Sequence, residues 1–224
     1  MYHALHLDYQ LDSDSLKHRL KLDQDLDSND NILKVFSQVE KDARLCIKLR
    51  GMYVEGHHVT GIPEVDRCQK QILVLVFITQ EVLNQMDQYT KEEKYLEAYL
   101  MNEMANDVLF AASDQANQYL CQMEQKEGRN LTRAFFPGDH DLPIEKQSHF
   151  INILTRERIQ RDLPEETAHK ASRAVLGITT NEYDMLVPEK AMIYAFGSDS
   201  SNQVVSVTHD CSHCQNLTCI YRKE

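Results

Sequence analysis

Residues 72–78 read Ile-Leu-Val-Leu-Val-Phe-Ile, seven apolar side chains in a row with polar residues on either side. An unbroken apolar run of this length, rich in β-branched residues, predicts a central strand buried on both faces. It is far too short to cross a bilayer. Working outward toward the C-terminus, Thr79 to Gln88 predicts a short helix starting at the strand's end. From about Lys91 to Lys126 the pattern is helical throughout. Tyr95, Tyr99, Met104, Val108, Ala112, Tyr119 and Met123 are the inward candidates, and Ala105, Ala111, Ala112 and Ala116 point to close packing against a sheet.

Toward the N-terminus, His57-His58 and Gly61-Ile62-Pro63 mark a loop. Apolar residues from Ile32 to Leu49 follow helical spacing after the cap-type residues Ser28-Asn29-Asp30, and Gly51 closes that segment. Leu16 to Leu22, LKHRLKL, alternates well enough to predict an edge strand. Beyond Gly128 comes an irregular segment, RAFFPGDHDLP. A helix then starts at Pro143-Ile144-Glu145, and a polar connector leads to a Pro-initiated helix stopped by Gly177. ITTNEYDMLV is a short extended piece. AMIYAFG and NQVVSVTH are two strand-like runs joined by GSDSSN. Long helices mixed irregularly with few strands define an α+β fold, a mixed or antiparallel sheet flanked by long helices.

The chain has 224 residues, enough for one substantial core, with residues 1–64 as an N-terminal part and 209–224 as a cysteine-rich tail. Its formal net charge of −11, with no basic run, excludes a nucleic-acid partner. The N-terminus shows no basic n-region and no apolar core, so no secretory signal and no membrane anchor are expected. The expected location is cytoplasmic. Disulfides are then disfavoured, and closely spaced cysteines point to metal or redox chemistry.

Three of the six cysteines, Cys211, Cys214 and Cys219, fall within nine positions of the run HDCSHCQNLTCIYR. Crowded thiolates repel one another unless they are protonated, oxidised or bound to a soft metal. The C-x2-C spacing lets two sulfurs reach one metal from a single turn. The tail therefore predicts a metal centre, an iron–sulfur cluster, or zinc if His209, Asp210 or His213 completes a tetrahedron. Two other places are candidates for binding. Arg133 precedes the tight turn Pro137-Gly138-Asp139, where a ligand can approach amides unguarded by a Cβ and a guanidinium can hold a carboxylate. Glu182 precedes the next apolar strand and Tyr194 lies within it, a carboxylate for a cationic group and a ring for stacking. No Ser–His–Asp arrangement, P-loop or dinucleotide fingerprint is present.

Taken in order, ILVLVFITQEVLNQMDQY, the Ala-rich helix, PGDHDLPIEKQ, LGITTNEYDMLVPEKAMIYAFG and CSHCQNLTCIYR resemble one family. From about residue 65 to the C-terminus the chain is similar to the stand-alone form of the vitamin B12-dependent methionine synthase activation domain. The resemblance implies an accessory domain of a methyltransferase that binds S-adenosylmethionine and meets the cobalamin of a corrinoid-binding partner. It implies reductive methylation of the inactive Co(II) corrinoid, with one electron from a flavodoxin or other reductase. It further implies ligand contacts at Arg133, Gly138, Glu182 and Tyr194, with no catalytic residue in the chain itself. No Asp-x-His-x-x-Gly motif is present, so cobalamin comes only through the partner.

The chain departs from the family pattern at two points. The arginine lies one residue early and the family's tyrosine is replaced by Asp139, while Ala191, Met192 and Ile193 occupy positions where small hydroxyl residues are expected. Each lost charge-assisted contact weakens binding by about 1.5–3 kcal/mol. The alternative implied by those departures is an iron–sulfur or zinc-binding electron-transfer or interaction module on the same fold, without the S-adenosylmethionine site.

Overall fold

The computed structural model describes residues 1–8, 11–22, 26–139, 142–160 and 162–203, with 26–29 in backbone only. The second strand-like run, NQVVSVTH, lies outside the described residues from position 204 onward, as does the whole cysteine tail.

The apolar run forms the middle of strand β3 (Lys70–Ile78), third in a five-stranded antiparallel sheet. Its neighbours are β2 (Leu49–Gly56) and β7 (Ala191–Asp199), the outer strands being β1 (Tyr2–Leu5) and β4 (Asn130–Leu131). Antiparallel sheets often leave one face wet, but here helices cover both. The period-2 alternation of β3 therefore divides two cores. Ile72, Val74, Val76 and Ile78 pack with Tyr194 and Phe196 of β7 against α2 (Leu26–Cys46), α4 (Glu81–Lys91) and α5 (Tyr95–Lys126). Leu73, Leu75 and Phe77 pack with Ile193 and Ala195 against the short α3 (Pro63–Asp66), α6 (Lys146–Ile159) and α7 (Glu165–Leu176). The α+β architecture expected from the sequence is the one observed.

Several local expectations differ. Leu16–Leu22 is no strand: α1 (Ser13–Arg19) occupies most of it, capped by Asp12, whose carboxylate accepts the Ser15 N–H at 3.0 Å. Leu16 and Leu20 suit helical spacing as well as alternation, and the Arg19–Ser15 bond at 2.8 Å ties successive turns. The second helix stops at Cys46, and Gly51, expected to end it, lies inside β2 opposite Leu5. A Cβ there would push the tip of the Leu7 side chain aside, so glycine eases the close approach of the N-terminal segment. Along α5, Met104, Val108 and Ala112 point inward as expected. Tyr95, Tyr99 and Tyr119 instead stay exposed along this helix of 32 residues, about 48 Å at 1.5 Å per residue.

The C-terminal end of α5 is fastened to the sheet by ions. Glu124 accepts from Lys70 Nζ at 2.5 Å and Arg129 Nε at 2.8 Å, and from Ser198, while Lys70 also reaches Glu55 at 2.7 Å. Burial alone would raise the Glu124 pKa, but the hydrogen bonds from Lys70, Ser198 and Arg129 prevail and hold it below the ordinary 4.5. Beside this cluster, Asn130 and Asn202 exchange side-chain-to-backbone hydrogen bonds at 2.9 Å in both directions, locking the end of β7 to β4.

On the α6–α7 side, α7 follows Pro164 and stops at Gly177, as the sequence predicts. A two-stranded hairpin, β5 (Thr179–Thr180) and β6 (Leu186–Val187), lies over these helices, and a cis Val187–Pro188 bond leads on to β7.

Candidate functional site

After β4 the chain runs along the outer edge of β7. Thr132 N–H donates to Gly197 O at 2.8 Å, and Phe135 exchanges backbone bonds with Ala195 at 3.0 and 3.1 Å. Alternation then sends Phe135 into the α6 core and Phe136 to the opposite face, where its ring lies 4.7 Å from that of Tyr194. Arg133 is exposed, its guanidinium 4.1 Å above the Phe135 ring. Among the described residues it meets no carboxylate, so a fixed cationic plane faces solvent. Gly138 adopts φ +95°, a conformation that favours glycine. Its N–H donates to Leu142 O at 2.8 Å and that of Asp139 donates to Phe136 O at 3.1 Å. The turn amides expected to greet a ligand are thus committed within the loop.

Glu182 sits at the exposed tip of the β5–β6 hairpin. Tyr194 is fully enclosed on the α5 side of the sheet, where its hydroxyl accepts from Ser113 at 3.1 Å and donates to Asn117 at 2.7 Å. Burial pushes its pKa up. The four candidates therefore do not line one pocket. Arg133 and Gly138 follow the sheet edge, Glu182 rides on the α6–α7 layer, and Tyr194 supports Phe136 from beneath. Cys211, Cys214 and Cys219 lie outside the described residues. Among the described residues no cluster of three or more His, Cys, Asp or Glu side chains could hold a metal.

Sequence reading missed a polar chain beneath the hairpin. Ser148 of α6 donates to Asp184 and lies 2.6 Å from Thr180 Oγ1, which lies 2.9 Å from His169 Nε2 on α7. An ionised carboxylate only accepts, so the direction is fixed along the whole chain. The Ser148 hydroxyl donates to Asp184, the Thr180 hydroxyl donates to Ser148, and His169 Nε2–H donates to Thr180. This relay binds the hairpin to both helices and fixes the histidine tautomer. A second missed group is Lys190, whose ammonium donates to Asn102 Oδ1 at 2.6 Å and Asn106 Oδ1 at 2.9 Å on α5; burial lowers its pKa.

Two cavities open elsewhere. One of about 350 Å³ lies among Leu7, Leu11, Ala43, Ile47 and Leu49, with Asp8 and Arg44 in its lining. The other, about 420 Å³, lies beside the charged residues Glu55, Lys70, Glu127 and Arg129. Neither is lined by Arg133, Gly138, Glu182 or Tyr194.

No protein-family model matches this sequence, and no curated protein matches it. Among solved structures, the fold is similar to that of the MetH reactivation domain in a crystal structure with AdoHcy bound. The TM-score is 0.50, over 80% of this chain and 69% of that chain, at 9% sequence identity. At that identity the likeness is one of fold.

Proposed function

We propose that this chain is an S-adenosylmethionine-binding reactivation module for a cobalamin-dependent methyltransferase, an accessory domain that supports reductive methylation of a Co(II) corrinoid held by a partner. The observation that carries the reading is the fold itself, shared with a domain whose crystal structure holds AdoHcy. The ordered motifs from ILVLVFI to the cysteine tail support it, as does the Arg133 guanidinium, which meets no carboxylate among the described residues. In this reading Arg133, fixed on Phe135, receives the ligand carboxylate. Glu182 offers charge to a cationic group, the Gly138 turn leaves room beside the sheet edge, and Tyr194 braces Phe136 from below. The methyl donor supplies the methyl group and the partner's corrinoid the reducible cobalt. This chain supplies orientation and charge.

Calorimetric titration tests the binding. Wild type is expected to bind S-adenosylmethionine, and Arg133→Ala to bind it about tenfold or more weakly, the loss of one charge-assisted contact. No heat from wild type at millimolar ligand removes the proposal.

The committed amides of Gly138 and Asp139 and the enclosed Tyr194 favour a second reading, an electron-transfer or interaction module on the same fold without that ligand. In both readings Cys211, Cys214 and Cys219 hold the metal. The partners are a corrinoid-binding protein and a flavodoxin or other reductase, met in the cytoplasm. No described helix is long and apolar enough to cross a membrane. Anaerobic purification is expected to give a brown protein absorbing at about 400 nm and bleached by dithionite, the mark of an iron–sulfur cluster. A colourless protein with stoichiometric zinc replaces the cluster with a zinc tail.

A further inference from the structure

The cavity of about 350 Å³ lies where the N-terminal segment crosses the end of α2 beside α5. Its volume falls at the low end of small-molecule sites, about 300–1,000 Å³. The most enclosed part of its lining is aliphatic. Ala43 is 0% and Val108 4% exposed, and the half-buried Leu11 and Ile47 stand around them. Water held against such side chains finds few hydrogen-bond partners, so an apolar group that displaces it is favoured.

Two opposite charges complete the lining, Asp8 and Arg44, and they are not paired with each other. Arg44 is held by Glu40 one turn back, its Nε and Nη2 donating to Glu40 Oε1 at 3.2 and 2.7 Å. Its Nη1 group has no partner among the described residues. Asp8 is held through its backbone: its N–H donates to Gln115 Oε1 at 3.2 Å, and its carbonyl accepts from Gln115 Nε2 at 3.4 Å. The Asp8 carboxylate itself accepts no bond among the described residues. A plain hydrocarbon would leave both charges unused. A fatty acid would set its carboxylate near Asp8, and an alkylamine would set its ammonium near Arg44. An apolar body that carries both charges at one end meets all three features of the lining.

We propose that this cavity binds a free apolar α-amino acid, with its ammonium at Asp8, its carboxylate at Arg44 Nη1 and its side chain against Ala43 and Val108. The Arg44 side chain is 51% exposed, so solvent screens the charged contacts and affinity in the millimolar range is expected. Occupancy ties the N-terminal segment to α2 and α5 and stabilises the fold by mass action. The cavity shares no residue with Arg133, Gly138, Glu182 or Tyr194, so the proposal stands apart from the reactivation reading.

The test titrates the isotope-labelled full-length chain with L-leucine and follows amide NMR shifts. Saturating shifts are expected at Asp8, Ala43, Arg44 and Val108. Isoamylamine lacks the carboxylate and isocaproate the ammonium, and each is expected to bind about threefold to fivefold more weakly. Glycine, without the apolar body, is expected not to saturate. Asp8→Asn is expected to weaken leucine by about the same threefold to fivefold without weakening isocaproate, and Arg44→Gln to weaken leucine without weakening isoamylamine. Both residues are exposed, so melting temperatures near that of wild type are expected. Shifts that do not saturate, shifts confined to other parts of the chain, or comparators and variants that bind as well as leucine binds wild type each overturn the proposal. S-adenosylmethionine bears an amino acid head of its own, so its calorimetric titration is repeated with saturating leucine. Unchanged affinity supports two separate sites; competition assigns leucine to the methyl-donor site and overturns the cavity.

Discussion

Tyr194→Ala is expected to destabilise the fold by about 3–5 kcal/mol, the usual cost of emptying a fully enclosed aromatic site. The ring fills the space between Phe136 and Phe196, with centroids at 4.7 and 5.6 Å, and its hydroxyl joins Ser113 and Asn117 of α5. Tyr194→Phe keeps the ring and loses only those bonds, for about 1–3 kcal/mol. The pair separates support from ligand contact. If Tyr194 acts from beneath Phe136, the phenylalanine variant unfolds earlier in urea while its S-adenosylmethionine affinity equals that of wild type. A phenylalanine variant of wild-type stability and weakened affinity would place the hydroxyl at the ligand instead.

The second large effect is expected at the far end of the sheet. Lys70→Met leaves Glu124, whose side chain is 5% exposed, facing a thioether. Breaking a buried pair from one side typically costs 3–5 kcal/mol; Arg129 and Ser198 remain on Glu124, so about 2–4 kcal/mol is expected here. The same cluster sets a pH dependence. Glu124 and Glu55 both have folded pKa values below 4.5, so their contribution is complete above that value and is lost as pH falls through the folded values. Lys70 is raised above 10.5, so its contribution is complete below 10.5 and is lost as pH rises through its folded value. Urea midpoints are expected to fall on the acid side in wild type and to fall less in Lys70→Met. Equal acid slopes in the two proteins would contradict the assignment.

The sequence revealed those parts of the fold in which one physical signal dominated. Seven apolar residues in a row admit few placements other than a strand covered on both faces, and the end of α5 and both ends of α7 follow from periodicity, Pro164 and the stop at Gly177, whereas the break between α4 and α5 at 92–94 carries no such signal. LKHRLKL was ambiguous because Leu16 and Leu20 fit both periods, and the deciding cap, Asp12, lies outside the run. β1 and β2 escaped notice because β1 has only four residues, and because Gly51 signals a helix end as readily as a close approach between strands.

The candidate site was legible only in pieces. Arg133, Gly138 and Glu182 stand out by residue type and surroundings, but no single-sequence pattern says which face of β7 carries Tyr194. The relay was invisible for a simpler reason. Ser148 and Asp184 are 36 positions apart and meet only because α6 and the hairpin pack together. Hydroxyls, a histidine and a carboxylate scattered over that distance have no shared period.

The reciprocal amide pair of Asn130 and Asn202 reinforces a short seam of the sheet. β4 meets β7 at only two ladder positions, and the two side-chain amides grip the same end from outside the ladder. The outer strand cannot peel away there without breaking both.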